Sequence, residues 1–470
     1  MRTLLATALV LLGTTLTGPA LATPGAPPPL RHDARQILYV SPTGDDAASG
    51  TRSSPLRTPQ VAVDRLADGG TVYLLPGVYH QERVLLRDRH DLTLAATRPG
   101  AAVLDATGLT PRLSDSGVVQ ISGSSRVVVR GLDIRGYRTS SLRRVPIGIY
   151  VTGHDRHVTL RHNHVHRLGN DNGTLGSFDI NAHGIAVYGR DPRHPISDLR
   201  IVGNEVDHLH LGASESVVVN GNVDHWRIVG NHIHDDDNIG IDAIGWEPTL
   251  TGRHRYTAAN RARHGVIAHN RISRIISEGN PAYWEDGSWC NCADGIYVDG
   301  GKHIQVRKNT VTRSDIGIEV GAENHRGHTN AVAISGNHVS GSRYVGLALG
   351  GYNPRRGDVY DVRVAHNRFR NDNTDNDGSP ELLLQFKVHR TTVVHNTVEA
   401  THRRRPLLLQ RVREVGTPAQ NRRVRIDHNH YLSPVRPGRA QFVWLGHELT
   451  GFAAYRAASG RDAHSTCRRR

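Results

Sequence analysis

Three versions of one short phrase decide how this chain is interpreted: Asn238-Ile-Gly-Ile-Asp-Ala-Ile-Gly245, Ala293-Asp-Gly-Ile-Tyr-Val-Asp-Gly300 and Asp315-Ile-Gly-Ile-Glu-Val-Gly321. In each version apolar residues alternate with other residues, which is the period of a half-buried β-strand. Aligned on the glycine, the outward position holds Asp242 in the first version, Tyr297 in the second and Glu319 in the third. Asp299 follows two residues after Tyr297. If these strands stack, their carboxylates and the tyrosine project from one flat face.

A second phrase recurs along most of the chain: an apolar alternation that ends in Asn, with another apolar residue two positions later. The Asn residues are Asn163, Asn204, Asn231, Asn270, Asn309, Asn337, Asn367, Asn396 and Asn429. The later copies recur at intervals of 28 to 33 residues. Short strands at this repeat length, with no helical segments between them, predict a right-handed parallel β-helix. Because Asn tolerates the left-handed backbone of a sharp bend, we predict that these residues form a hydrogen-bonded ladder at one bend.

Asn-bend repeats of this length resemble the pectate-lyase-like β-helix superfamily, which has the pectin lyase fold. The segments Tyr39–Asp45, Ser54–Thr58 and Gly70–Tyr79 are similar to the opening of many secreted polysaccharide-processing β-helix proteins. In that opening, Thr58 is expected to N-cap a short helix that begins at Pro59 and closes one end of the solenoid. The resemblance covers roughly residues 38 to 435 and implies an all-β solenoid with a short N-terminal capping helix.

The beginning of the chain predicts export. Met1-Arg2-Thr3 carries one positive charge, an apolar run follows from Leu4 to Leu16, and Ala20-Leu21-Ala22 is a small-x-small cleavage signal. We therefore expect a signal peptide over residues 1–22 and a secreted, extracellular protein with no membrane span. A Pro-rich linker over 23–36, a β-helix over 37–435, and a C-terminal cap and basic tail over 436–470 complete the expected organisation.

Charge and cysteine content limit the partners. The formal net charge is +14, which favours anionic partners such as acidic polysaccharides, although arginine-rich coding alone gives the same balance. No glycine-rich phosphate loop follows a strand into a helix, so nucleotide binding has no support. The expected partner is a polysaccharide substrate, with no nucleic acid and no membrane, and we expect a monomer. Cys290 and Cys292 are expected to be too close for an ordinary disulfide, which leaves Cys467 to pair with one of them. Histidines that precede the Asn bends are interpreted as surface positions, not as ligands.

Insertions beside the three acidic strands predict the walls of a groove. They span residues 246–263, 276–292, 323–329 and 352–358. Their aromatic side chains suit stacking on sugar rings, although the same side chains could instead anchor the loops on the helix body. The candidate substrate-binding residues are Trp246, Glu247, Tyr283, Trp284, Trp289, Glu323, Arg326 and Tyr352.

Two chemistries fit the acidic face. Because stacked coils lie about 4.8 Å apart, the backbones of Asp242 and Glu319 are expected roughly 10 Å apart. Carboxylates this close raise the pKa of at least one of them unless a cation neutralises them. The lyases of the resembled superfamily imply Ca²⁺ held by Asp242, Asp299 and Glu319, bridging to a substrate uronate whose C5 proton a base removes. Lys302, Lys387, Tyr297 and a groove arginine are the candidates for that base.

The alternative chemistry needs no cofactor. One carboxylic acid protonates the glycosidic oxygen while a second carboxylate activates water or attacks the sugar. A non-catalytic glycan-binding protein is the third possibility. The chain lacks the Trp-Ile-Asp-His and Arg-x-Pro-x-x-Arg motifs of pectate lyases, so it is not a member of that family in the narrow sense, and the glycan stays open. We expect polysaccharide cleavage by β-elimination first and glycoside hydrolysis second, with candidate catalytic residues Asp242, Tyr297, Asp299, Lys302 and Glu319.

Overall fold

The computed structural model describes residues 36–66, 69–410 and 423–470. The predicted signal peptide and almost all of the predicted linker therefore lie outside the described residues. Within these three ranges, no helix has the length and apolar character needed to span a bilayer.

Three long sheets extend along the chain, and their strands pair in parallel with the equivalent strands of the next coil, except that His447–Thr450 pairs antiparallel with Gln441–Trp444 at the end of sheet 2. This arrangement confirms the predicted parallel β-helix. Sheet 1 contains Ile37–Val40, Gly70–Leu74, Leu92–Ala96, Val128–Arg130, Thr159–Arg161, Ile196–Val202, Val223–Val229, Arg263–Ala268, Lys302–Arg307, His328–Ser335, Asp358–Ala365, Val388–His389, Thr392–Val394 and Arg425–Asp427.

Sheet 2 contains Val84–Arg87, Ser114–Ser122, Arg144–Thr152, His183–Gly189, Val217–Gly221, Ile241–Ile244, Asp294–Asp299, Ile316–Gly321, Val345–Leu349, Leu382–Leu384, Pro406–Gln410, Gln441–Trp444 and His447–Thr450. Sheet 3 contains Gly77–His80, Ala102–Asp105, Leu132–Arg135, His164–His166, Glu205–Asp207, His232–Asp236, Arg271–Ile275, Thr310–Thr312, His338–Ser340, Arg368–Arg370, Thr397–Glu399, His430–Ser433 and Thr466–Arg469. Two short ribbons pair Arg138–Thr139 with Gly169–Asn170 and Trp284–Glu285 with Ser288–Trp289.

The interior is filled by apolar side chains that stack from coil to coil. One such column in sheet 1 follows the strand register through Val129, Leu160, Ile201, Ile228, Ile267, Val306, Ile334, Val364, Val393 and Ile426. All members of this column are buried. The alternating pattern of the sequence is thus satisfied, because every second residue of a strand enters the core.

The predicted Asn ladder is present. Each buried Asn from Asn163 to Asn396 donates from Nδ2 to Oδ1 of the next Asn at 2.9–3.1 Å, ending on Asn429. The left-handed backbone conformation that was expected at the Asn occurs one residue earlier. The left-handed residue is the one before each Asn, for example His162 with φ 53° and Gly203 with φ 62°. This explains why Gly and His recur before the Asn, since the Asn itself is needed for its amide.

Both ends of the solenoid are closed. Helix α1, Pro59–Arg65, follows Thr58 as expected, but the Thr58 hydroxyl donates to Asp46 at 2.6 Å instead of capping the helix. At the other end, helix α2, Phe452–Ser459, buries Phe452 and Tyr455. The basic end, for which the sequence predicts a tail, instead forms the last strand of sheet 3, which pairs with His430–Ser433.

The cysteine prediction is wrong. Cys290 and Cys292 form a disulfide with each other, with a Cα–Cα distance of 5.4 Å, and Cys467 is free. A bend in the loop brings the two Cα atoms within the usual distance range for a disulfide. In a fully extended segment the Cα atoms of residues two positions apart lie too far from each other. The disulfide stiffens the loop just before the strand Asp294–Asp299.

Candidate functional site

Sheet 2 carries a cavity of about 760 Å³ on its outer face. Its acidic lining residues are Glu215, Asp242, Glu247, Glu285, Asp294, Asp299, Glu319, Glu323 and Asp377. Its other polar and aromatic lining residues include Phe178, Asn181, Tyr283, Asn291, Tyr297, Tyr344, Tyr352 and Gln385. We call this region the acidic cavity. Among the described residues that line it, there is no lysine, arginine or histidine.

The strand register assembles the centre of the acidic cavity. Asp242 lies opposite Tyr297, which lies opposite Glu319 on the next strand. Asp299 lies opposite Gly321. The face predicted from the three aligned phrases is therefore formed, and Asp242, Tyr297 and Glu319 occupy one column across three coils.

Sequence reasoning missed four acidic residues of the cavity, Glu215, Glu285, Asp294 and Asp377, and the strand register accounts for two of them. Asp294 lies opposite Ile316, one position before the aligned glycine of its strand. Glu215 lies just before the strand Val217–Gly221, one position before Ser216, which takes the place of the glycine. Both are buried. The same glycine alignment that identified Asp242 could have identified them, because the position before the glycine also faces outward.

Tyr297 organises two of the carboxylates. Its hydroxyl hydrogen-bonds to the Glu323 side chain. The backbone N–H of Glu323 donates in turn to Asp299 Oδ1 at 2.7 Å. Burial and the neighbouring carboxylates raise the pKa of Tyr297 well above its usual value, so the hydroxyl keeps its proton and acts as a donor.

Burial is the main cause of the raised pKa values of the acidic residues. It raises the pKa of Glu319 to about 8, and the adjacent charge of Glu323 acts in the same direction. Burial, followed by the charge of Glu215, raises the pKa of Glu247 to about 7. The pKa values of Asp242 and Asp299 are raised well above the usual range for the same two reasons, burial first and nearby carboxylates second. The cavity therefore holds carboxylic acids at neutral pH.

Glu323 has a different environment from Glu319. Burial raises its pKa, but the charge of Arg356 and the hydrogen bond from Tyr297 oppose that increase. Arg356 lies behind Glu323, where its guanidinium donates to the Glu323 carbonyl at 3.1 Å. Glu319 and Glu323 are thus an unequal pair, in which Glu323 loses its proton first.

Two buried carboxylate oxygens at the cavity are without a hydrogen-bond partner among the described residues, namely Asp242 Oδ1 and Asp294 Oδ1. Asp242 is 2% exposed and Asp294 is 3% exposed. A buried oxygen of this kind is stabilised by a proton, a substrate hydroxyl or a cation. Together with Asp299 and Glu319, these carboxylates offer the oxygen donors that Ca²⁺ prefers.

Of the named candidates for the base, Tyr297 lines the acidic cavity and the two lysines lie elsewhere. Lys302 begins a strand of sheet 1, and Lys387 donates from Nζ to the Arg356 carbonyl at 2.6 Å. Neither lysine lines the acidic cavity. Arg326 also lies outside it, with its guanidinium 3.9 Å from the centre of the Tyr256 ring.

The aromatic predictions divide into two groups. Tyr283 and Tyr352 line the acidic cavity, together with Phe178, which the sequence interpretation missed. Trp246 instead is buried, donates from Nε1 to the His328 carbonyl at 2.9 Å, and anchors its loop. Trp284 and Trp289 pack edge to face on each other, with ring centres 4.7 Å apart, and do not line the cavity. Trp246 therefore has the loop-anchoring role, whereas Trp284 and Trp289 contact each other within their own hairpin.

A buried histidine adjoins the acidic cavity at Glu215. His183 Nδ1 lies 3.3 Å from Glu215 Oε2, and His183 Nε2 lies 2.8 Å from the Tyr188 hydroxyl. This contact fixes Glu215 at the edge of the cavity. No motif in the sequence connects these residues, because the strand register alone brings them together.

Sequence comparison finds similar proteins. The chain is 33% identical over 433 residues to the uncharacterized protein YwoF of Bacillus subtilis (strain 168), covering 91% of this chain and 86% of that protein. A stretch of 42 residues, 9% of this chain and 10% of the relative, is 50% identical to pectate lyase PEL9 of Emericella nidulans. No protein-family model matches the sequence.

Solved structures show the same architecture. A GH136 lacto-N-biosidase from Eubacterium ramulus superposes with a TM-score of 0.60 at 13% identity, covering 84% of this chain and 67% of that one. A point mutant of the periplasmic alginate epimerase AlgG gives a TM-score of 0.53 at 11% identity, covering 85% of this chain and 84% of that one. At these identities the likeness establishes the parallel β-helix fold.

Proposed function

The chain belongs to the same family as YwoF of Bacillus subtilis, and we propose that it is a secreted glycoside hydrolase that cleaves a neutral glycan in the acidic cavity. The observation that carries this proposal is the unequal pair Glu319 and Glu323. Glycoside hydrolysis needs a protonated and an ionised carboxyl group on either side of one glycosidic bond.

The charge of the acidic cavity supports a neutral substrate. Its described lining contains many carboxylates and no cationic side chain. A uronate would therefore find no cationic side chain to pair with in a buried site, which is unfavourable without a bound cation. This reverses the order of the two chemistries expected from the sequence, because neither candidate lysine lines the cavity and Tyr297, the base candidate that does, keeps its proton.

Glu319 and Glu323 have different catalytic roles in this proposal because their environments differ. With a pKa of about 8, Glu319 is protonated at neutral pH and donates its proton to the glycosidic oxygen as the bond to the leaving sugar breaks. Glu323, stabilised as a carboxylate by Arg356 and Tyr297, removes a proton from the attacking water or attacks the anomeric carbon itself. The configuration of the first product distinguishes these two routes.

Aromatic side chains at the cavity supply sugar contacts. Phe178 is 57% exposed and Tyr352 is 46% exposed, although both line the cavity. Exposed rings next to carboxylates suit the apolar faces of sugar rings. Arg356 lies over the Tyr352 ring, 4.2 Å from its centre, and holds that ring in place.

The test is incubation of the purified protein with parallel panels of neutral and uronate-containing polysaccharides. New reducing ends on a neutral glycan, without ultraviolet absorbance from unsaturated uronate, support hydrolysis. Glu319→Gln should abolish this activity, and Glu448→Gln, which changes an exposed residue of the C-terminal cap, should leave it intact. Activity that survives in Glu319→Gln contradicts the assignment of the acid.

The unpartnered oxygens of Asp242 and Asp294 favour a second candidate, Ca²⁺-dependent β-elimination on a uronate. Asp242, Asp299 and Glu319 would hold the ion, which would screen the carboxylates and bind the substrate uronate. A rise in ultraviolet absorbance on an acidic glycan that requires Ca²⁺ and disappears with a chelator supports this candidate. Hydrolysis that is unaffected by the chelator excludes it.

A further inference from the structure

Sheet 3 presents histidine and carboxylate side chains on three consecutive strands, outside the acidic cavity. The register places Asp133 opposite His164, and His166 opposite Asp207. Val165, between the two histidines, is buried in the core, so both histidines face outward. They lie within the strand that follows Asn163, not at the bends to which the sequence interpretation assigned the surface histidines.

The donor atoms of this group converge. His166 Nε2 lies 3.1 Å from Asp133 Oδ1, and His164 Nδ1 lies 3.6 Å from Asp133 Oδ2. The two imidazole rings stack with centres 4.0 Å apart and planes inclined by 8°. One donor atom from each of Asp133, His164 and His166 can be chosen so that all three lie within 4.8 Å of one another.

We propose that Asp133, His164 and His166 bind a divalent first-row transition metal ion, such as Zn²⁺. Ligands at the usual zinc distances of about 2.0–2.2 Å are separated by roughly 3.3 Å in a tetrahedron. One observed donor separation, 3.1 Å, is slightly shorter than that value, and the other, 3.6 Å, is slightly longer. Two imidazoles and one carboxylate leave the fourth position for water, as in open zinc sites.

Asp207 orients the central ligand. Its Oδ1 lies 2.6 Å from His164 Nε2 and accepts the proton of that nitrogen. His164 Nδ1 then faces Asp133 Oδ2 at 3.6 Å, and binding of an ion at this nitrogen displaces any proton on it. A carboxylate that fixes the tautomer of a ligating histidine in this way is a regular companion of metal sites. Asp207 is therefore a positioning residue and not itself a ligand.

The strands fix the backbones of the ligands before an ion arrives, and one of the two nearly parallel imidazole rings turns to point its nitrogen at the ion. His166 and Asp207 are each 6% exposed, so little side-chain freedom is lost on binding. A similar group farther along the sheet, Glu205, His232 and His234, is more exposed, with 47% of the Glu205 side chain accessible. We therefore assign the tighter site to His164 and His166.

The experiment is titration of chelator-treated, full-length protein with Co²⁺, followed by displacement with Zn²⁺. An intense visible absorbance typical of tetrahedral Co²⁺, lost in His166→Ala, is expected. Asp133→Asn keeps the shape of the side chain and decides the result if His166→Ala does not fold. Asp207→Asn should weaken Zn²⁺ binding by about 10–100-fold while retaining the tetrahedral spectrum.

The matched control is His225→Ala, in the exposed cluster of Asp224, His225 and His264, and it should leave Zn²⁺ affinity unchanged. Zn²⁺ binding that is equally tight in Asp133→Asn and in the unmodified protein overturns the proposal. The proposal is also overturned if Co²⁺ gives only the weak absorbance of an octahedral ion. In that case these side chains form an ion-pair network without a metal. Neither outcome depends on the glycan or on hydrolytic activity.

Discussion

The hydroxyl of Tyr297 lies over Gly321 of the next coil, so closely that a Cβ on Gly321 would come within 2.7 Å of the hydroxyl oxygen. The same hydroxyl bonds to Glu323. The missing side chain at Gly321 is therefore what allows Tyr297 to reach across to the carboxylate. Because Tyr297 is 5% exposed, its ring has little room to move aside.

Gly321→Ala should therefore displace the Tyr297 hydroxyl from Glu323. We expect hydrolysis to fall by about 10–100-fold, with destabilisation of about 1–3 kcal/mol from overpacking. Activity and thermal unfolding are measured side by side. Gly438→Ala, where a Cβ meets open space, is the control and should change neither. Full activity in Gly321→Ala would show that the Tyr297 contact is not needed for catalysis.

The acidic column shows how far the sequence could predict the site. A strand period of two and a shared glycine determine which residues face outward. The sequence alone therefore predicts that Asp242, Tyr297 and Glu319 occupy one column. The loops gave no such rule. Whether Trp246 faces a sugar or the His328 carbonyl depends on the path of its loop, which no local pattern determines.

Replacement of the proposed acid should separate activity from stability. Glu319→Gln removes the donated proton, and we expect activity to fall by about 10²–10⁴-fold at neutral pH. The substitution also removes a buried acidic group, so the folded state should be at least as stable as the unmodified protein at pH 8. Reducing-end assays and thermal melts of the two proteins check both effects. A large loss of stability would mean that Glu319 supports the fold instead.

Stability should fall as pH rises from about 4 to 8. Burial raises the folded-state pKa of Asp155 to about 7, from an ordinary value of 3.8. Between these values the folded chain holds a proton that the unfolded chain has lost, so stability decreases as pH increases through this window. Above it both states are ionised and the slope vanishes. Glu319 and Glu247, whose pKa values are about 8 and about 7, contribute with the same sign.

Asp155→Asn isolates this effect, because Asp155 lies outside the acidic cavity. Asn keeps the acceptor for the Ser124 backbone N–H, which bonds to Asp155 Oδ1 at 2.6 Å. We expect a gain on the order of 3 kcal/mol at pH 8 and little change at pH 4, with activity unchanged. Denaturant unfolding at both pH values gives the comparison. An equal effect at the two pH values would contradict the ionisation argument.

The Asn ladder was predictable in position and bonding, because a buried amide repeated at one bend meets its own copy in the next coil. The preceding left-handed residue was not assigned, since Gly, His and Lys all occupy it and share no chemical feature. The disulfide between Cys290 and Cys292 was mispredicted for a related reason. Sequence separation alone does not show how sharply a loop bends.

Asn270→Ala tests whether the ladder stabilises the solenoid. Asn270 Oδ1 accepts from the Asn231 backbone and side chain, and its Nδ2 donates to the Ile228 carbonyl and to Asn309. Alanine leaves these buried groups without partners, which should cost about 3 kcal/mol or more. Asn353→Ala, in an exposed turn, should cost well under half as much. Equal losses in the two variants would mean that apolar stacking, and not the amide ladder, keeps the coils in register.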